Sequence, residues 1–144
     1  MEANENGLFL EDHLCFSLYA CSRAILRQYR PYLDELNLTY PQYLVLLVLW
    51  EKGQRTVKEL GESLDLDSGT LTPLLKRMES NQLVERRRDP SDERVVTVRL
   101  TEDGRSLRGK ATCIPKALLE KIGLNSDDMI ALNETIKKLL DRVK

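Results

Sequence analysis

The reactive chemistry open to this chain begins with sulfur. Three cysteines are present, and Cys15 is followed four residues later by the phenol of Tyr19, one turn away on the same face of a helix. A thiol with hydrogen-bond donors beside it can ionise and react with an oxidant. A thiol set among Leu14, Phe16 and Leu18 can equally be an inert packing residue, and on spacing alone both readings stay open. Cys21 lies about 240° round such a helix and roughly 9 Å along it from Cys15. That is too far for a disulfide without unwinding, so Cys21 reads as a packing residue. Cys113 stands alone in the C-terminal half. An odd cysteine count without CxxC argues against a disulfide scaffold and suits the reducing cytoplasm. His13 is the sole histidine and reads as a solvated side chain rather than a base. With no metal-ligand spacing, no cofactor motif and no nucleophile–base arrangement, neither an enzyme nor a metal or cofactor site is expected.

The second chemistry is charge. The chain carries a net −1, so it lacks the overall basic balance that is the simplest footprint of nucleic-acid binding. Between Lys76 and Arg99, however, seven Lys/Arg stand against five Asp/Glu, leaving +2 there and −3 on the rest. A locally basic face on an acidic body suits a protein that meets phosphate at one place. Thr70, Thr72, Lys76 and Arg77 fall on the outer face of one predicted helix. Arg86, Arg87, Arg88 and Arg94 crowd the hairpin after it, densely for a hairpin that only packs.

The elements that must position these groups can be read in order. Residues 1–7 are polar and expected to fray. From about Leu8 to Tyr32 the apolar spacing predicts a long helix, with Pro31 ending or bending it. Thr39-Tyr40-Pro41-Gln42 is a capping box with proline in the first turn, and it opens a core helix from Tyr40 to Glu51. Thr56-x-x-Glu59 is a second box and opens a short helix whose Leu60, Leu64 and Leu66 face inward. The next helix starts near Asp67 or Ser68, with an irregular first turn or two at Pro73, and buries Leu71, Leu74, Leu75 and Met78. Two strands follow, Leu83 to Arg88 and Val95 to Leu100, around a loop at residues 89–93. Thr101 caps a long helix broken at Pro115, and Asn125 or Ser126 caps a last amphipathic one.

Helix, turn, helix and charged hairpin is the order of a winged helix-turn-helix, which lays one helix in a DNA major groove. The expected fold is mainly α with a small β-hairpin wing: one domain over residues 1–144, its winged helix-turn-helix at about 39–104. The flanking helices, about 8–35 and 105–144, carry more apolar surface than that lobe can bury, which predicts a homodimer built from them. With 42% hydrophobic and 31% charged residues the composition is that of an ordinary soluble domain. The polar opening residues are not expected to be a secretory signal, and the longest apolar run, Tyr43 to Trp50, is too short to cross a bilayer.

The segments LxLDSGTLTPLLKRME and DERVVTVRLTEDG resemble the MarR family of winged-helix repressors. LCFSLYACSR and QYRPYLDELNLTYPQYLVLLVLWE are similar to its organic-hydroperoxide sensors, called OhrR. The resemblance runs from about Leu14 to Gly104 and implies specific roles. Cys15 would be the peroxide-sensing thiol, Tyr29 and Tyr40 would hydrogen-bond it, and Tyr19 would lie nearby. Ser68, Thr70, Thr72, Lys76 and Arg77 would meet the major groove or its phosphates, with Arg86 on the wing. Asp92 would brace Arg94, which enters the minor groove. Cys113 would resolve oxidised Cys15 or be buried, and failing a bridge a low-molecular-weight thiol would cap Cys15. The implied partners are a pseudo-palindromic double-stranded operator, a second copy of the chain and an organic hydroperoxide as inducer, with no membrane. The alternative within the fold is a regulator answering a small phenolic ligand or another oxidant. Tyr29 lies roughly 21 Å along a straight helix from Cys15, so any contact between them must come from the partner's first helix, run antiparallel.

Overall fold

A computed structural model describes residues 9–144; the expectations for residues 1–7, and a helix start at Leu8, lie outside them. The chain forms two compact units, one ending at Lys110 and one spanning Ala111–Lys144.

In the first unit a 3-10 turn, Leu10–Asp12, precedes α1, Leu14–Glu35. The helix therefore begins later than its apolar pattern predicts. His13, the N-cap, is extended and its side chain makes no cap bond; its Nδ1 lies 2.6 Å from the Phe9 carbonyl oxygen, in the turn before the helix. Nor does Pro31 end α1, which runs on to Glu35. Proline takes its missing donor from the Arg27 carbonyl, and both residues are solvent-exposed, so water can serve that oxygen. Asn37, with φ 55°, then turns the chain into α2, Tyr40–Lys52. The capping box is formed: Gln42 N–H donates to Thr39 Oγ1, and Thr39 N–H to Gln42 Oε1. Tyr43, Val45, Leu46 and Leu49 of α2 are buried, making it the core element.

Arg55–Thr56 form a two-residue strand, β1, absent from the sequence reading because so short a strand leaves no alternation to see. Thr56 also caps α3, Val57–Leu64, through the second box. Leu60 is fully buried, Leu64 and Leu66 half-buried. Asp65, left-handed at φ 55°, turns the chain into α4, Ser68–Ser80, N-capped by Asp67. Pro73 lies inside α4, and Leu71, Leu75 and Met78 are buried while Leu74 is half-buried.

The hairpin is β2, Val84–Asp89, and β3, Asp92–Leu100. Its register pairs Asp89 with Asp92, leaving a two-residue turn at Pro90-Ser91 where the sequence suggested a longer loop. The Asp89 carboxylate accepts from both the Ser91 N–H and its hydroxyl, which lets the turn close tightly. β1 pairs on the other side of β3, so the sheet has the order β1-β3-β2 and is antiparallel throughout. At the wing root Thr101 N–H donates to the Leu83 carbonyl and its Oγ1 to the Gln82 carbonyl. The same Oγ1 accepts from Gly104 N–H, capping α5, Glu102–Ala111. Gly104 is buried against Leu83, leaving no room there for a Cβ.

The second unit contains α6, Ile114–Ile122, and α7, Ser126–Val143. The break between α5 and α6 falls at Thr112-Cys113, not at Pro115, which sits in the first turn of α6 where its missing N–H is no loss. Asn125 caps α7 by accepting from Asp128 N–H. Ile130, Leu132, Ile136, Leu140 and Val143 of α7 are exposed, as are Leu14, Phe16, Tyr19 and Leu26 of α1 in the first unit.

Candidate functional site

Cys15 occupies the first turn of α1 and is exposed. Tyr19, one turn on, is also exposed, and the Arg23 guanidinium lies 5.4 Å from its ring centroid. The two other tyrosines assigned to the thiol are elsewhere. Tyr29 and Tyr40 pack together at the far end of α1, ring centroids 4.9 Å apart, with Tyr43 at 5.9 Å from Tyr29. Burial, and then the neighbouring phenols of Tyr40 and Tyr43, push the Tyr29 hydroxyl up to about 12. Burial likewise raises Tyr40. Both phenols therefore stay protonated at neutral pH and can donate a hydrogen bond to an anion. Within one protomer the fold brings Tyr29 to Tyr40 but leaves Cys15 a helix length away.

Beside the tyrosine pair runs a groove of about 500 Å³ lined by Arg23, Arg27, Arg30 and Tyr40. These arginines stand at i, i+4 and i+7 on α1, a stripe visible in the sequence but not singled out there. Cys21, read from the sequence as a packing residue, is exposed on α1. Its side of α1 is not the one laid against α2. Cys113 is exposed at the start of α6 in the second unit. Among the described residues no cluster of His, Cys, Asp or Glu could hold a metal ion, and no helix is long and apolar enough to cross a membrane.

The basic face is built on α4 and the wing. Asp67 accepts from Thr70 N–H at 2.8 Å, and Thr70 holds this carboxyl below the usual carboxylate range. That cap fixes the start of α4 with Ser68 and Thr70 exposed; Lys76 and Arg77 are exposed further along, and Thr72 is half-buried. An open groove of about 920 Å³ runs past Ser68 and Thr70, and Arg94 of the wing lines it too. Arg94 is 92% exposed and is held at the tip by two bonds, Nε to Asp92 Oδ1 at 3.1 Å and Nη2 to Oδ2 at 3.4 Å. The brace that the resemblance implied between Asp92 and Arg94 is thus present. One side chain of the expected DNA set is placed differently. Arg86 is only 23% exposed, and its guanidinium is bound to Glu79 of α4, so it points into the joint between helix and wing. Sequence reasoning missed Glu79, because the pairing depends on how the chain turns at Asn81–Gln82.

Comparison with known proteins agrees with this architecture. Residues 27–110 match a family model described as transcriptional regulator SarA/Rot. The chain is 50% identical over 141 residues to the organic hydroperoxide resistance transcriptional regulator of Bacillus subtilis strain 168, covering 98% of this chain and 96% of that protein. A crystal structure of overoxidised AbfR bound to DNA superimposes with a TM-score of 0.77 at 36% identity, covering 94% of this chain and 95% of that one. A mutant MarR from E. coli complexed with operator DNA gives 0.79 at 29% identity, covering 88% and 93%. The exposed helix start and braced wing arginine therefore belong to a DNA-binding transcriptional regulator, and the chain is a member of the MarR family of winged-helix regulators.

Proposed function

We propose that this protein is a cytoplasmic, homodimeric repressor that senses organic hydroperoxides by oxidation of Cys15 and then leaves its operator. The observation that carries the reading is the division of the sensing groups within one protomer. Cys15 lies exposed at one end of α1, and two protonated phenols, Tyr29 and Tyr40, are paired at the other. An antiparallel pairing of two α1 helices puts each thiol against the other chain's phenols, with Arg27 and Arg30 close by. Hydrogen-bond donors and positive charge are what a thiol needs to ionise. The exposed apolar residues of α1 and α7 support that pairing. In this reading residues 1–144 act as one unit, in which 39–104 read DNA and the flanking helices join the copies.

The thiolate sulfur attacks one peroxide oxygen, the O–O bond breaks, and the alkoxide that leaves takes a proton to become an alcohol. Cys15 is left as a sulfenic acid. A second thiol, from Cys113 or a low-molecular-weight donor, condenses with it to a disulfide and water. Ser68, Thr70, Thr72, Lys76 and Arg77 contact the major groove or its phosphates, and Arg94 the minor groove, braced by Asp92. An operator gel shift with titrated cumene hydroperoxide tests the assignment: wild type releases DNA and Cys15→Ser does not. If Cys15→Ser still responds, the inducer is instead a bound ligand or acts elsewhere.

A further inference from the structure

We infer that Glu79 is a positioning residue for operator recognition. Through Arg86 it locks the wing to the recognition helix, so that the two DNA-contacting elements approach the duplex as one rigid head. The Glu79 carboxylate reaches across from the last turn of α4 to the third residue of β2. Its Oε2 accepts from Arg86 backbone N–H at 3.0 Å, and its Oε1 accepts from Arg86 Nη2 at 3.2 Å and Nε at 3.4 Å. These bonds hold the carboxyl below its usual range, the Arg86 backbone N–H first among them. One feature sets this pair apart from the other wing ion pairs. Glu85 takes Arg99 and Arg87 across or along the sheet, and Asp92 takes Arg94 at the tip, so both act inside the wing. Glu79–Arg86 alone among these joins the wing to α4. It captures a backbone donor, as Asp92 does with Arg94 N–H, but here across the joint, which fixes the strand itself to α4.

Charge-assisted bonds with backbone and side chain together fix both distance and angle. The chain between α4 and β2 turns at Gln82, φ 61°, and is tied to the end of α4 by backbone bonds from the Asn81, Gln82 and Leu83 N–H groups; the Glu79–Arg86 bonds carry that hold past Leu83 into the strand itself. Ser68 and Thr70 at one end of the head and Arg94 at the other line one groove, and both reach DNA only if their separation is held. If losing the brace leaves about a third of the heads with the wing correctly set, a dimer that uses both heads loses about tenfold in apparent operator affinity.

The alternative is that Arg86 itself touches phosphate, and the two roles predict opposite results. We would measure operator and non-specific duplex affinity across salt concentrations for Glu79→Ala, Arg86→Ala, the double variant and Glu79→Gln. The brace predicts about a tenfold loss for each single alanine variant and the same loss, not its square, for the double. The salt slope of operator binding should be unchanged, non-specific affinity held within about twofold, and Glu79→Gln intermediate because it keeps an acceptor for the Arg86 backbone N–H. A phosphate contact predicts that Arg86→Ala lowers the slope by about 0.9 per protomer while Glu79→Ala binds as tightly as wild type or more tightly. That result overturns the inference. So does an equal fall of operator and non-specific affinity with a lowered melting temperature, which is the mark of a merely unfolded fraction.

Discussion

Gly104 and Gly109 lie on the same helix, and replacing each with alanine should move stability in opposite directions. At Gly104 a methyl group would run into the Leu83 carbonyl and stand 3.1 Å from Leu100 Cδ2. The obstructing atom is backbone, and it already accepts the Thr101 N–H at the wing root, so it cannot rotate aside. Forcing one extra carbon into such a place costs typically about 1–3 kcal/mol or more. The helix-propensity gain of alanine over glycine offsets about 1 kcal/mol at most, and less in a first turn. A net loss of about 2 kcal/mol follows, which for a chain of this length lowers the melting temperature by about 4–8 °C. At Gly109 the same methyl meets no atom within 4 Å, so only the propensity gain remains. That variant should melt about 2–4 °C higher. Calorimetry at matched protein concentration measures both, since association makes melting concentration-dependent. A shift of the same sign in the two variants would refute the account of why glycine stands at the wing root.

Two further outcomes are expected. Arg94→Ala should weaken operator binding and flatten its salt dependence, by about 0.9 for each phosphate the guanidinium no longer neutralises, while leaving the melting temperature almost unmoved because the side chain is solvated. Gel shifts over a salt series, beside a melting curve, check both halves. Tyr29 holds its proton up to about 12 in the folded state, above the ordinary phenol value of 10.0. The stability this contributes is complete below 10.0 and is lost as pH rises from there through about 12, because the unfolded chain gives up the proton first. Alkaline unfolding of wild type should therefore steepen in that window, and Tyr29→Phe should reduce the steepening, the remainder coming from Tyr40 and Tyr43, whose phenols burial also raises.

What could be read from the chain beforehand was local. Both capping boxes, Thr39 with Gln42 and Thr56 with Glu59, formed where their residues stood, because a cap is settled among four neighbouring positions. Asn125 did the same for α7. The misplaced boundaries all depended on something beyond the window. Whether Pro31 stops a helix turns on whether water can reach the Arg27 carbonyl. Whether Pro115 or Thr112-Cys113 breaks the chain turns on which residue is free to open the next helix. β1 exists only because β3 offers it an edge. The site divides in the same way. The Asp92–Arg94 brace was anticipated from the family resemblance, whereas Arg86 looked like one more wing arginine until Glu79 came round to meet it. The likeness of Cys15 to a sensor came from resemblance, and the distance to Tyr29 followed from helix rise alone.

The aromatic residues of α2 bear on how a change at the thiol could reach the wing. Tyr40 is 6.3 Å from Tyr43, ring to ring, and Tyr43 is 6.4 Å from Trp50. Trp50 Nε1 in turn donates to the Gly104 carbonyl at 2.9 Å. A row of rigid rings thus runs down the core helix from the phenol that would face the partner's sulfur to the residue that anchors the wing. The column ends at a backbone position with no room for a methyl group. Under the proposed function, this row and the Trp50–Gly104 bond are the continuous run of contacts that joins Tyr40 to the wing root.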